Sequence, residues 1–375
     1  MTKILLCFGT RPEAIKMATL IQEIKEQAVF ECKVCVTAQH REMLDQVLGF
    51  FEIIPDYDLD IMKANQSLNE LSSRILMGFD KVLAEFNPDI VLVHGDTSTS
   101  SICALAAFHR GIKVGHVEAG LRTFNKFSPF PEEMNRLITS RIADFHFAPT
   151  FSSSQNLLDE KIPMDSIIVS GNTVIDSLFW TVDKFDKGYS NSTIETISKK
   201  LGTDKKVVLI TAHRRENFGI GFISICNAIK ELANENKNII FLFPVHLNPN
   251  VQEPVNLILK NVENVILTAP LDYPSFVWAM KRSYIILTDS GGVQEEAPSL
   301  GKPVLVMRDT TERPEAVDAG TVLLVGTNKD KIIKEVSSLV NDASYYEKMA
   351  NTHNPYGDGQ ANSKIIKFLK DNANK

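Results

Sequence analysis

Residues 288–316 read TDSGGVQEEAPSLGKPVLVMRDTTERPEA and directly follow the apolar run YIIL at 284–287. The apolar run has the composition of a buried strand, and the small residues Ser-Gly-Gly then open a helical pattern that Gly301 closes. The segment KPVLVMRD at 302–309 has the pattern of a second buried strand. Strand, helix and strand in this order are typical of α/β proteins with parallel sheets, so this stretch predicts the fold class.

The turn after the first of these strands, Ser290-Gly291-Gly292, has the chemistry of an anion site. Free N–H groups in the first turn of a helix point outward, glycines let a ligand approach the backbone, and the helix dipole favours negative charge. Glu296 lies about one turn further on and can hold hydroxyl groups. Arg313 follows the next strand and can neutralise a phosphate. This combination favours a sugar nucleotide over a free sugar, and the alternative is a glycine-rich turn without a ligand.

The length and composition of the chain limit the classes of protein that it can belong to. A chain of 375 residues exceeds one comfortable hydrophobic core, so two domains are expected. Hydrophobic residues make up 44% and charged residues 23%, as in ordinary globular proteins. The net charge of −6 and the absence of Lys/Arg blocks argue against a nucleic-acid partner. No apolar run approaches the roughly 20 residues that cross a bilayer, so no membrane association is expected.

The cysteines and histidines do not form a recognisable metal or disulfide pattern. Five cysteines are dispersed in apolar contexts, and the odd number argues against a disulfide framework. Cys32 and Cys35 form a CxxC inside a strand-like run, where a separation of three places the side chains on opposite faces. No second pair completes a zinc site, and no HxxxH or HExxH spacing supports another metal. We expect a cytoplasmic protein. We interpret four histidines as packing groups or as supports for the site: His94, His109, His116 and His146.

Three carboxylates in the first half of the chain follow strand-like runs or open helices. Asp96 follows the run at 89–93, Glu118 follows the run at 113–117, and Glu132 opens a helix after a proline-rich loop. N-capping is the simpler interpretation of Asp96, and interaction with the helix dipole is the simpler interpretation of Glu132. A convergence of all three is harder to attribute to chance than any one of them, so we interpret them as candidate acid/base groups.

Two cations and one histidine stand at comparable positions. Arg11 and Lys16 lie near the start of a helix after the first strand, where open α/β sheets bind ligands. Cations there oppose the helix dipole, so a bound anion explains them better than a solvated first turn. After a polar segment at 184–206, a second series of strands begins, and its first strand leads to His213. No complete GxGxxG or GxxxxGK[ST] motif occurs, so no NAD and no other cofactor is expected.

The tetrapeptide Arg-Pro-Glu-Ala occurs at 11–14 and again at 313–316. Each copy follows a strand and a turn that contains threonine. Two βαβ domains that present this motif at strand ends would face their cationic loops into one cleft, so the repeat suggests a ligand site shared by both halves of the chain.

Together, motifs that run in order along nearly the whole chain resemble the non-hydrolysing UDP-N-acetylglucosamine 2-epimerase family. The motifs are GTRPEAIK (9–16), HGDTSTS (94–100), GHVEAGLR (115–122), FPEEMNR (130–136), GNTVIDSL (171–178), HRREN (213–217), FPVHLNP (243–249), the 288–316 stretch and NPYGDG (354–359). The resemblance implies a GT-B fold, in which two Rossmann-like doubly wound domains hold the active site in the cleft between them. It places one domain at 1–170 with a C-terminal helix at about 359–375, and a UDP-binding domain at 171–358.

The family resemblance also implies an activity. Members interconvert UDP-GlcNAc and UDP-ManNAc, supply ManNAc units for bacterial surface polysaccharides, need no nicotinamide and commonly form homodimers. Their reaction eliminates UDP across C1–C2 to give 2-acetamidoglucal and then adds UDP back with the proton on the other face. By resemblance, acid/base work falls to Asp96, Glu118 and Glu132, and the carboxylate that takes the C2 proton stays open. His213 then assists at the phosphate.

The same resemblance assigns the residues that bind the nucleotide. The diphosphate would be stabilised by Arg11, Lys16, Arg313 and the Ser290-Gly291-Gly292 helix start. Glu296 would bind the ribose hydroxyls, and Phe276 would lie beside the uracil. Leu271 departs from the Gln that some members carry near the base, which leaves recognition there to the backbone.

Bacterial members often bind a second UDP-GlcNAc as an activator. The residues here that resemble that site are Gln39, Glu42, Gln66, Arg214 and His246. The expected patterns, Gln-His-Arg-Gln-Met and Arg-Gln-Thr-Leu, are altered because Glu42 and Asn65 stand at the variable positions. Replacing an arginine by asparagine removes a phosphate partner, so we expect an allosteric site with weaker electrostatic attraction for the nucleotide.

Four other functions compete with epimerisation of UDP-GlcNAc. A GT-B glycosyltransferase shares the fold and the nucleotide site but needs no proton relay at C2, so the three carboxylates argue against it. A hydrolysing epimerase would release free ManNAc and UDP, and a sugar-nucleotide sensor would bind without turnover. The substrate could also be a modified relative of UDP-GlcNAc.

Overall fold

The computed structural model describes residues 1–38, 41–63 and 65–372, and the chain divides into two compact units. Unit 1 comprises Met1–Phe179 and Tyr356–Lys375, and unit 2 comprises Trp180–Pro355. Each unit has a parallel β-sheet whose successive strands are joined by helices. The predicted α/β class is therefore confirmed.

Unit 1 begins with alternating strands and helices. Its strands are β1 (Thr2–Phe8), β2 (Phe30–Val36), β3 (Tyr57–Asp58), β4 (Ile90–His94), β5 (Lys113–Val117), β6 (Phe145–Ala148) and β7 (Ile167–Val169). Its helices in this part are α1 (Arg11–Lys25), α2 (Arg41–Phe50), α3 (Leu68–Phe86), α4 (Ser98–His109), α5 (Glu132–Ile142), α6 (Phe151–Asp159) and α7 (Thr173–Asp186), the last of which continues into unit 2.

The sheet of unit 1 has the order β3-β2-β1-β4-β5-β6-β7 in the described part of the chain. All neighbouring strands are parallel, and Cys7 of β1 pairs with Cys35 of β2 on one side and with Val93 of β4 on the other. The strand order reverses between β1 and β4, and ligands of such sheets bind at the carboxyl ends of the strands at this switch point. The loops after β1, β4 and β5 are therefore the positions that matter for function.

Unit 2 repeats the same design. Its strands are β8 (Lys206–Thr211), β9 (Ile239–Pro244), β10 (Val265–Thr268), β11 (Ile285–Thr288), β12 (Val304–Val306) and β13 (Val322–Leu324). Its helices are α8 (Ser192–Leu201), α9 (Ile220–Glu235), α10 (Pro249–Leu259), α11 (Tyr273–Arg282), α12 (Gly291–Glu296), α13 (Pro314–Ala319), α14 (Lys329–Asn341) and α15 (Ala343–Ala350). The strand order β10-β9-β8-β11-β12-β13 reverses between β8 and β11.

The last helix, α16 (Ala361–Asn372), belongs to unit 1. Asp176 of α7 accepts the backbone N–H of Ala361 at 3.2 Å and that of Asn362 at 3.1 Å, which satisfies two N–H groups at the start of α16. The side-chain amide of Asn362 donates to Thr19 of α1 at 2.9 Å. Burial raises the pKa of Asp176 to about 6. The helix is thus anchored by polar contacts in addition to its apolar side chains.

Local signals in the sequence explain where the elements begin and end. Ser67 caps α3 by accepting the N–H of Glu70 at 3.2 Å, and Glu70 accepts the N–H of Ser67 at 2.7 Å, which completes a capping box. Asn87 ends the helix in the left-handed region at φ 49°. The helix therefore spans Leu68–Phe86. Gly301, at φ +65°, likewise ends the helical segment that begins at α12.

Apolar strands form the cores of both units. β1 is buried from Ile4 to Phe8, and Leu287 of β11 packs in the core of unit 2. Full burial of one such side chain is worth about 1.5–3 kcal/mol. The five cysteines are free thiols, with Cys35 buried and Cys32 partly exposed. Among the described residues, no helix combines the length and apolar character required to cross a membrane.

Candidate active site

Glu118 stands at the carboxyl end of β5 in an uncommon backbone conformation, with φ +64°. A left-handed conformation costs a non-glycine residue about 1–2 kcal/mol, and such strain is concentrated at functional sites. The side chain is only 8% exposed. It forms an ion pair with Lys16, accepts the side-chain amide of Asn172 at 3.1 Å and lies 3.7 Å from Nε2 of His94. The predicted carboxylate is therefore held in one orientation by three elements of unit 1.

Lys16 contacts a carboxylate in this structure. It lies in the second turn of α1, after β1, and its Nζ donates to Glu118. We predicted Lys16 as a partner for a diphosphate, and its contact with Glu118 places it beside a candidate acid/base group. Arg11 is the first residue of the same helix and is half-buried.

Asp96 follows β4, but it does not cap the next helix. Thr97 takes that role, because its Oγ1 accepts the N–H of Ser100 at 3.1 Å. The N-capping interpretation of Asp96 is therefore wrong. Asp96 Oδ2 instead lies 2.6 Å from Nη2 of Arg136, and the Asp96 carbonyl accepts the side-chain amide of Asn135 at 2.9 Å. The Asp96 side chain is 26% exposed, so a substrate can reach the carboxylate.

The two glutamates that open α5 have different surroundings. Glu133 is buried and accepts the backbone N–H groups of Thr123 at 3.0 Å and Phe124 at 2.9 Å, in addition to Nη1 of Arg136 at 3.0 Å. Glu133 therefore fixes the loop before α5. Within the part of the chain that the structure describes, the buried Oε2 of Glu132 has no hydrogen-bond partner. A buried carboxylate oxygen without a partner is costly, so Glu132 has the property expected of a group that meets a ligand.

The loops that carry Asp96 and Glu118 lie side by side. The backbone N–H of Gly95 donates to the carbonyl of Val117 at 2.9 Å. A β-carbon on Gly95 would lie 3.8 Å from Glu118 Oε1, so the carboxylate passes directly over this glycine. Glu132 is the first residue of α5. Two later residues of the same helix, Asn135 and Arg136, form hydrogen bonds with Asp96. The structure thus gathers the three predicted carboxylates around adjoining loops of unit 1.

Glu13 is a further buried carboxylate at this edge, and it is not among the candidate residues predicted from the sequence. It accepts the backbone N–H groups of Gly9 at 3.1 Å and Thr10 at 2.8 Å, and the hydroxyl of Thr97 at 2.7 Å. Burial raises its pKa to about 7, although these hydrogen bonds act in the opposite direction. Glu13 therefore ties the loop after β1 to the loop after β4. The Thr10-x-x-Glu13 capping box was the signal in the sequence that could have revealed it.

The histidines of unit 1 are mostly neutral packing groups, as predicted. His94 is buried, and burial lowers its pKa to about 4. His116 is also buried, with its pKa lowered to about 3, and burial lowers the pKa of His146. His109 contradicts the prediction, because it lies on the surface at the end of α4, where the next turn begins.

In unit 2, Asp289 lies directly behind His213. Asp289 is fully buried, and its Oδ2 accepts the backbone N–H groups of His213 and Arg214, each at 2.8 Å. Its Oδ1 lies 3.4 Å from Nδ1 of His213. Burial lowers the pKa of His213, while Asp289 acts in the opposite direction. The His213 side chain is 40% exposed and stacks on His246 with 5.5 Å between the ring centroids. His213 is therefore a reachable imidazole with fixed backbone support.

Two arginines flank the glycines at the start of α12. A β-carbon on Gly291 would lie 3.9 Å from Nη2 of Arg214 and 4.0 Å from Nη2 of Arg313. Neither guanidinium is attracted by the positive end of the helix dipole, so the arrangement suits a bound anion. We predicted Arg313 for this position. Arg214, which we assigned to a second nucleotide site, also lies here.

Arg313 is held by residues that were not among the candidates predicted from the sequence. Its Nε donates to Glu295, which is 1% exposed, and its backbone N–H donates to Oγ1 of Thr311 at 3.1 Å. The carbonyl of Glu295 in turn accepts the side-chain amide of Asn354 at 2.7 Å. These contacts fix the fork of the guanidinium in the orientation that places it beside Gly291.

The residues predicted to contact the nucleoside lie on adjoining elements of unit 2. Glu296 is mostly buried at the end of α12, and the hydroxyl of Tyr273 donates to its Oε1 at 3.4 Å. Phe276 follows Tyr273 by one helical turn in α11 and is half-buried. Leu271, the residue that differs from the family pattern, is nearly buried before that helix.

The residues assigned to a second nucleotide site have varied surroundings. Gln39 lies outside the described residues. Glu42 is exposed in the first turn of α2. Gln66 Oε1 accepts Nη1 of Arg74 at 2.5 Å, and Nδ1 of the exposed His246 accepts the N–H of Asn248 at 3.1 Å. Over residues 1–38, 41–63 and 65–372, no group of three His, Cys, Asp or Glu side chains could hold a metal ion.

Comparison with known proteins agrees with the family resemblance of the sequence. A family model described as UDP-N-acetylglucosamine 2-epimerase matches residues 22–370. The chain is 57% identical over 371 residues to UDP-N-acetylglucosamine 2-epimerase of Escherichia coli strain K12, with 99% of each chain covered. It is 58% identical over 369 residues to the enzyme of that description from Yersinia pestis, with 98% of each chain covered.

Solved structures show the same likeness in three dimensions. The crystal structure of UDP-GlcNAc 2-epimerase from Neisseria meningitidis bound to UDP-GlcNAc is 54% identical, covers 99% of this chain and 100% of its own, and superposes with a TM-score of 0.90. The Methanocaldococcus jannaschii UDP-GlcNAc 2-epimerase in complex with UDP-GlcNAc and UDP is 33% identical, with 98% and 99% covered and a TM-score of 0.78. The fold is GT-B-like, as the sequence predicted.

Proposed function

Because the chain belongs to the UDP-N-acetylglucosamine 2-epimerase family, we propose that it interconverts UDP-N-acetylglucosamine and UDP-N-acetylmannosamine by inverting C2 of the amino sugar. Beside the family membership, the observation that supports this activity is the gathering of Asp96, Glu118 and Glu132 around adjoining loops of one sheet edge. A transferase that moves a sugar to an acceptor transfers no proton at C2, so the three carboxylates favour an epimerase over a transferase.

Inversion at C2 requires that a weakly acidic C–H bond be broken. A base removes the C2 proton while the bond between C1 and the diphosphate oxygen breaks, and UDP leaves with the electron pair. The product is 2-acetamidoglucal with a C1–C2 double bond. UDP then adds back to C1 while a proton is delivered to the opposite face of C2, so atoms and electrons balance over the cycle.

Proton removal and return on opposite faces need two acid/base groups. Glu118 is held by Lys16 and Asn172 and so has a fixed direction. Glu132 has a buried oxygen that a substrate could meet, and Asp96 is the more exposed carboxylate beside them. These three residues share the acid/base work, and Lys16 stabilises negative charge on Glu118.

The leaving diphosphate gains negative charge as C1–O breaks. In unit 2, Arg313, Arg214 and the N–H groups at Ser290-Gly291-Gly292 are the groups that stabilise this charge. Arg11 at the start of α1 contributes from unit 1.

His213 serves the phosphate as an acid or an electrostatic partner, with Asp289 behind it. Glu296 binds the ribose hydroxyls, with Tyr273 as its neighbour, and Phe276 lies by the uracil. No cofactor takes part in this scheme, because the substrate itself supplies the leaving group and receives it again.

We further propose that the enzyme is a cytoplasmic homodimer that supplies ManNAc units for surface polysaccharides. A second UDP-GlcNAc acts as an activator at Gln39, Glu42, Gln66, Arg214 and His246. The position of Arg214 beside Gly291 suggests that activator and substrate share this arginine. Glu42 adds a negative charge to the second site, which weakens its attraction for a diphosphate.

Incubation with UDP-GlcNAc in D₂O tests the activity and its mechanism together. The expected products are UDP-GlcNAc and UDP-ManNAc, both with deuterium at C2, as read by NMR and mass spectrometry. An Asp96→Asn variant provides the matched control. Release of free ManNAc would identify a hydrolysing enzyme. Binding without exchange would identify a sensor, and transfer of GlcNAc to an added acceptor would identify a glycosyltransferase.

A further inference from the structure

Asn172 is a buried residue directly before α7, and the scheme above uses it only as one of the two groups that hold Glu118. Its Oδ1 accepts the backbone N–H of Val174 at 3.0 Å, as a helix-capping side chain does. Its Nδ2 donates to Oε2 of Glu118 at 3.1 Å. Because one end of the amide accepts and the other donates, these two contacts together determine which way the amide is turned.

The oxygen that receives Asn172 also receives Lys16. Both donors therefore hold Oε2, while Oε1 lies over Gly95, next to the loop of Asp96. A half-turn of the carboxylate only exchanges its two equivalent oxygens, whereas any smaller rotation would break both contacts. The pair of donors thus fixes the orientation of the carboxylate and leaves one oxygen, Oε1 in this structure, on the side of Asp96.

The backbone at Asn172 is fixed by the segment at which the chain re-enters unit 1. The N–H of Asn172 donates to the carbonyl of Tyr356 at 2.8 Å, and Tyr356 is the first residue of the returning segment. Gly171 and Gly357 have φ angles of +91° and +130°, and a β-carbon on Gly357 would lie 3.5 Å from the α-carbon of Gly171. Both φ angles lie in the region that favours glycine, so the two chain segments can meet here, and the hydrogen bond to Tyr356 fixes the backbone of Asn172.

We propose that Asn172 is a positioning residue for the epimerisation, which aims Glu118 by holding its Oε2 and thereby directs Oε1 towards the reacting sugar. This role rests on the proposed function of Glu118. In this role Asn172 acts through its contact with the carboxylate, so its removal should lower the rate of the chemical step and leave substrate binding nearly unchanged.

Two substitutions separate this role from simple helix capping. Asn172→Asp keeps the shape of the side chain and an oxygen that accepts the Val174 N–H, but it replaces the donor to Glu118 by a second carboxylate oxygen. Asn172→Ser keeps a capping hydroxyl and removes the donor without adding charge. The matched control is Asn328→Asp, because Asn328 caps α14 by accepting the Lys331 N–H at 2.9 Å and has no part in the scheme.

The experiment measures kcat, KM and thermal midpoint for the wild type and the three variants. We expect kcat to fall roughly 10- to 100-fold in both Asn172 variants, more in Asn172→Asp because two carboxylates then face each other, with KM within about threefold of wild type. Asn328→Asp should keep wild-type kinetics. If either Asn172 variant kept kcat within about twofold of wild type, or if kcat fell only in proportion to a loss of folded protein, the positioning role would be overturned. If the wild type itself did not epimerise UDP-GlcNAc, the proposed function would fail, whatever the variants did.

Discussion

Asp289 supports His213 through both the backbone and the ring: one carboxylate oxygen accepts the His213 N–H at 2.8 Å, and the other lies 3.4 Å from Nδ1. A buried carboxylate behind an exposed imidazole orients the ring and selects its tautomer. The second oxygen has no hydrogen-bond partner among the described atoms, so the ring is the group placed to satisfy it.

Asp289→Asn tests this support. Asparagine keeps an oxygen for the backbone N–H groups of His213 and Arg214 but presents an amide or a neutral oxygen to the imidazole. We expect kcat to fall roughly tenfold or more with little change in thermal midpoint. The double variant Asp289→Asn/His213→Gln should be no slower than His213→Gln alone, because both changes remove one function. Additive losses would show that Asp289 acts independently of His213.

The two glutamates at the start of α5 form a natural pair of variants. Glu132→Gln should lower kcat at least roughly 100-fold and leave the thermal midpoint nearly unchanged, because its buried oxygen has no partner in the described structure. Glu133→Gln should lower the free energy of unfolding by roughly 3 kcal/mol, since it replaces the oxygen that pairs with the buried Arg136 by an NH₂ group, although the remaining oxygen can still accept the two loop N–H groups. Denaturant unfolding and steady-state kinetics of both proteins check this. The reverse pattern would exchange the roles that we give them.

Arg313 is expected to act on the leaving group. Arg313→Ala should lower kcat as well as raise KM for UDP-GlcNAc, and Arg313→Lys should recover only part of the loss, because lysine lacks the fork that reaches Glu295 and the anion together. Lys329→Ala, which removes an ion pair with Glu231 on the surface of unit 2, is the control for lost charge. A change in KM alone would mean that Arg313 binds UDP without stabilising its departure.

The pH dependence of stability follows from the buried His94. Its folded-state pKa is about 4 and its unfolded value about 6.5, so between these the unfolded chain binds more protons and stability rises with pH. The contribution of His94 to the free energy of unfolding is at most roughly 3 kcal/mol. It is complete above the pKa of the unfolded chain and is lost as the pH falls through the pKa of the folded protein.

His94→Gln should remove this pH-dependent part. The difference in unfolding free energy between wild type and variant, from urea titrations at pH values from about 4 to about 7, should grow as the pH rises. His109→Gln, at an exposed position, is the control variant measured alongside it. A constant difference for His94→Gln would mean that His94 has the same pKa in the folded protein as in the unfolded chain.

Activation by a second nucleotide is tested in the reverse direction. With UDP-ManNAc as substrate, a trace of UDP-GlcNAc should shorten the lag before product appears. The concentration required should fall in Glu42→Gln, because a repulsive charge is removed from the second site. Wild-type enzyme without stimulation at any concentration would refute the regulatory role.

Much of the fold was predictable because the strands and helices of an α/β protein are indicated by short, local sequence patterns. Apolar runs marked the strands, and caps such as Ser67 and Asn87 marked the limits of α3. The candidate residues were predictable where chemistry follows a strand end, as for Asp96 and Glu118, since the carboxyl ends of parallel strands share one edge.

The partners of these residues were not predictable in the same way. Asp289 and Glu295 adjoin the quoted glycine motif, yet nothing in a single sequence tells which neighbouring carboxylate turns inward to an arginine or a histidine. Glu132 and Glu133 are adjacent in one helical turn, and only the path of the preceding loop decides which of them accepts hydrogen bonds from backbone N–H groups. Asn172 contacts Glu118 although the two residues are 54 positions apart in the chain.

The return of the chain to unit 1 at Tyr356 has a consequence for biosynthesis. Unit 2 is one continuous stretch, whereas unit 1 needs α16, whose Ile365, Ile366 and Leu369 are buried. On the ribosome, unit 2 can therefore reach its native form before unit 1 is finished, although unit 1 emerges first. Until residues from 356 onward leave the exit tunnel, the groove for α16 stays open, and this nascent chain is the form that chaperones and proteases would meet.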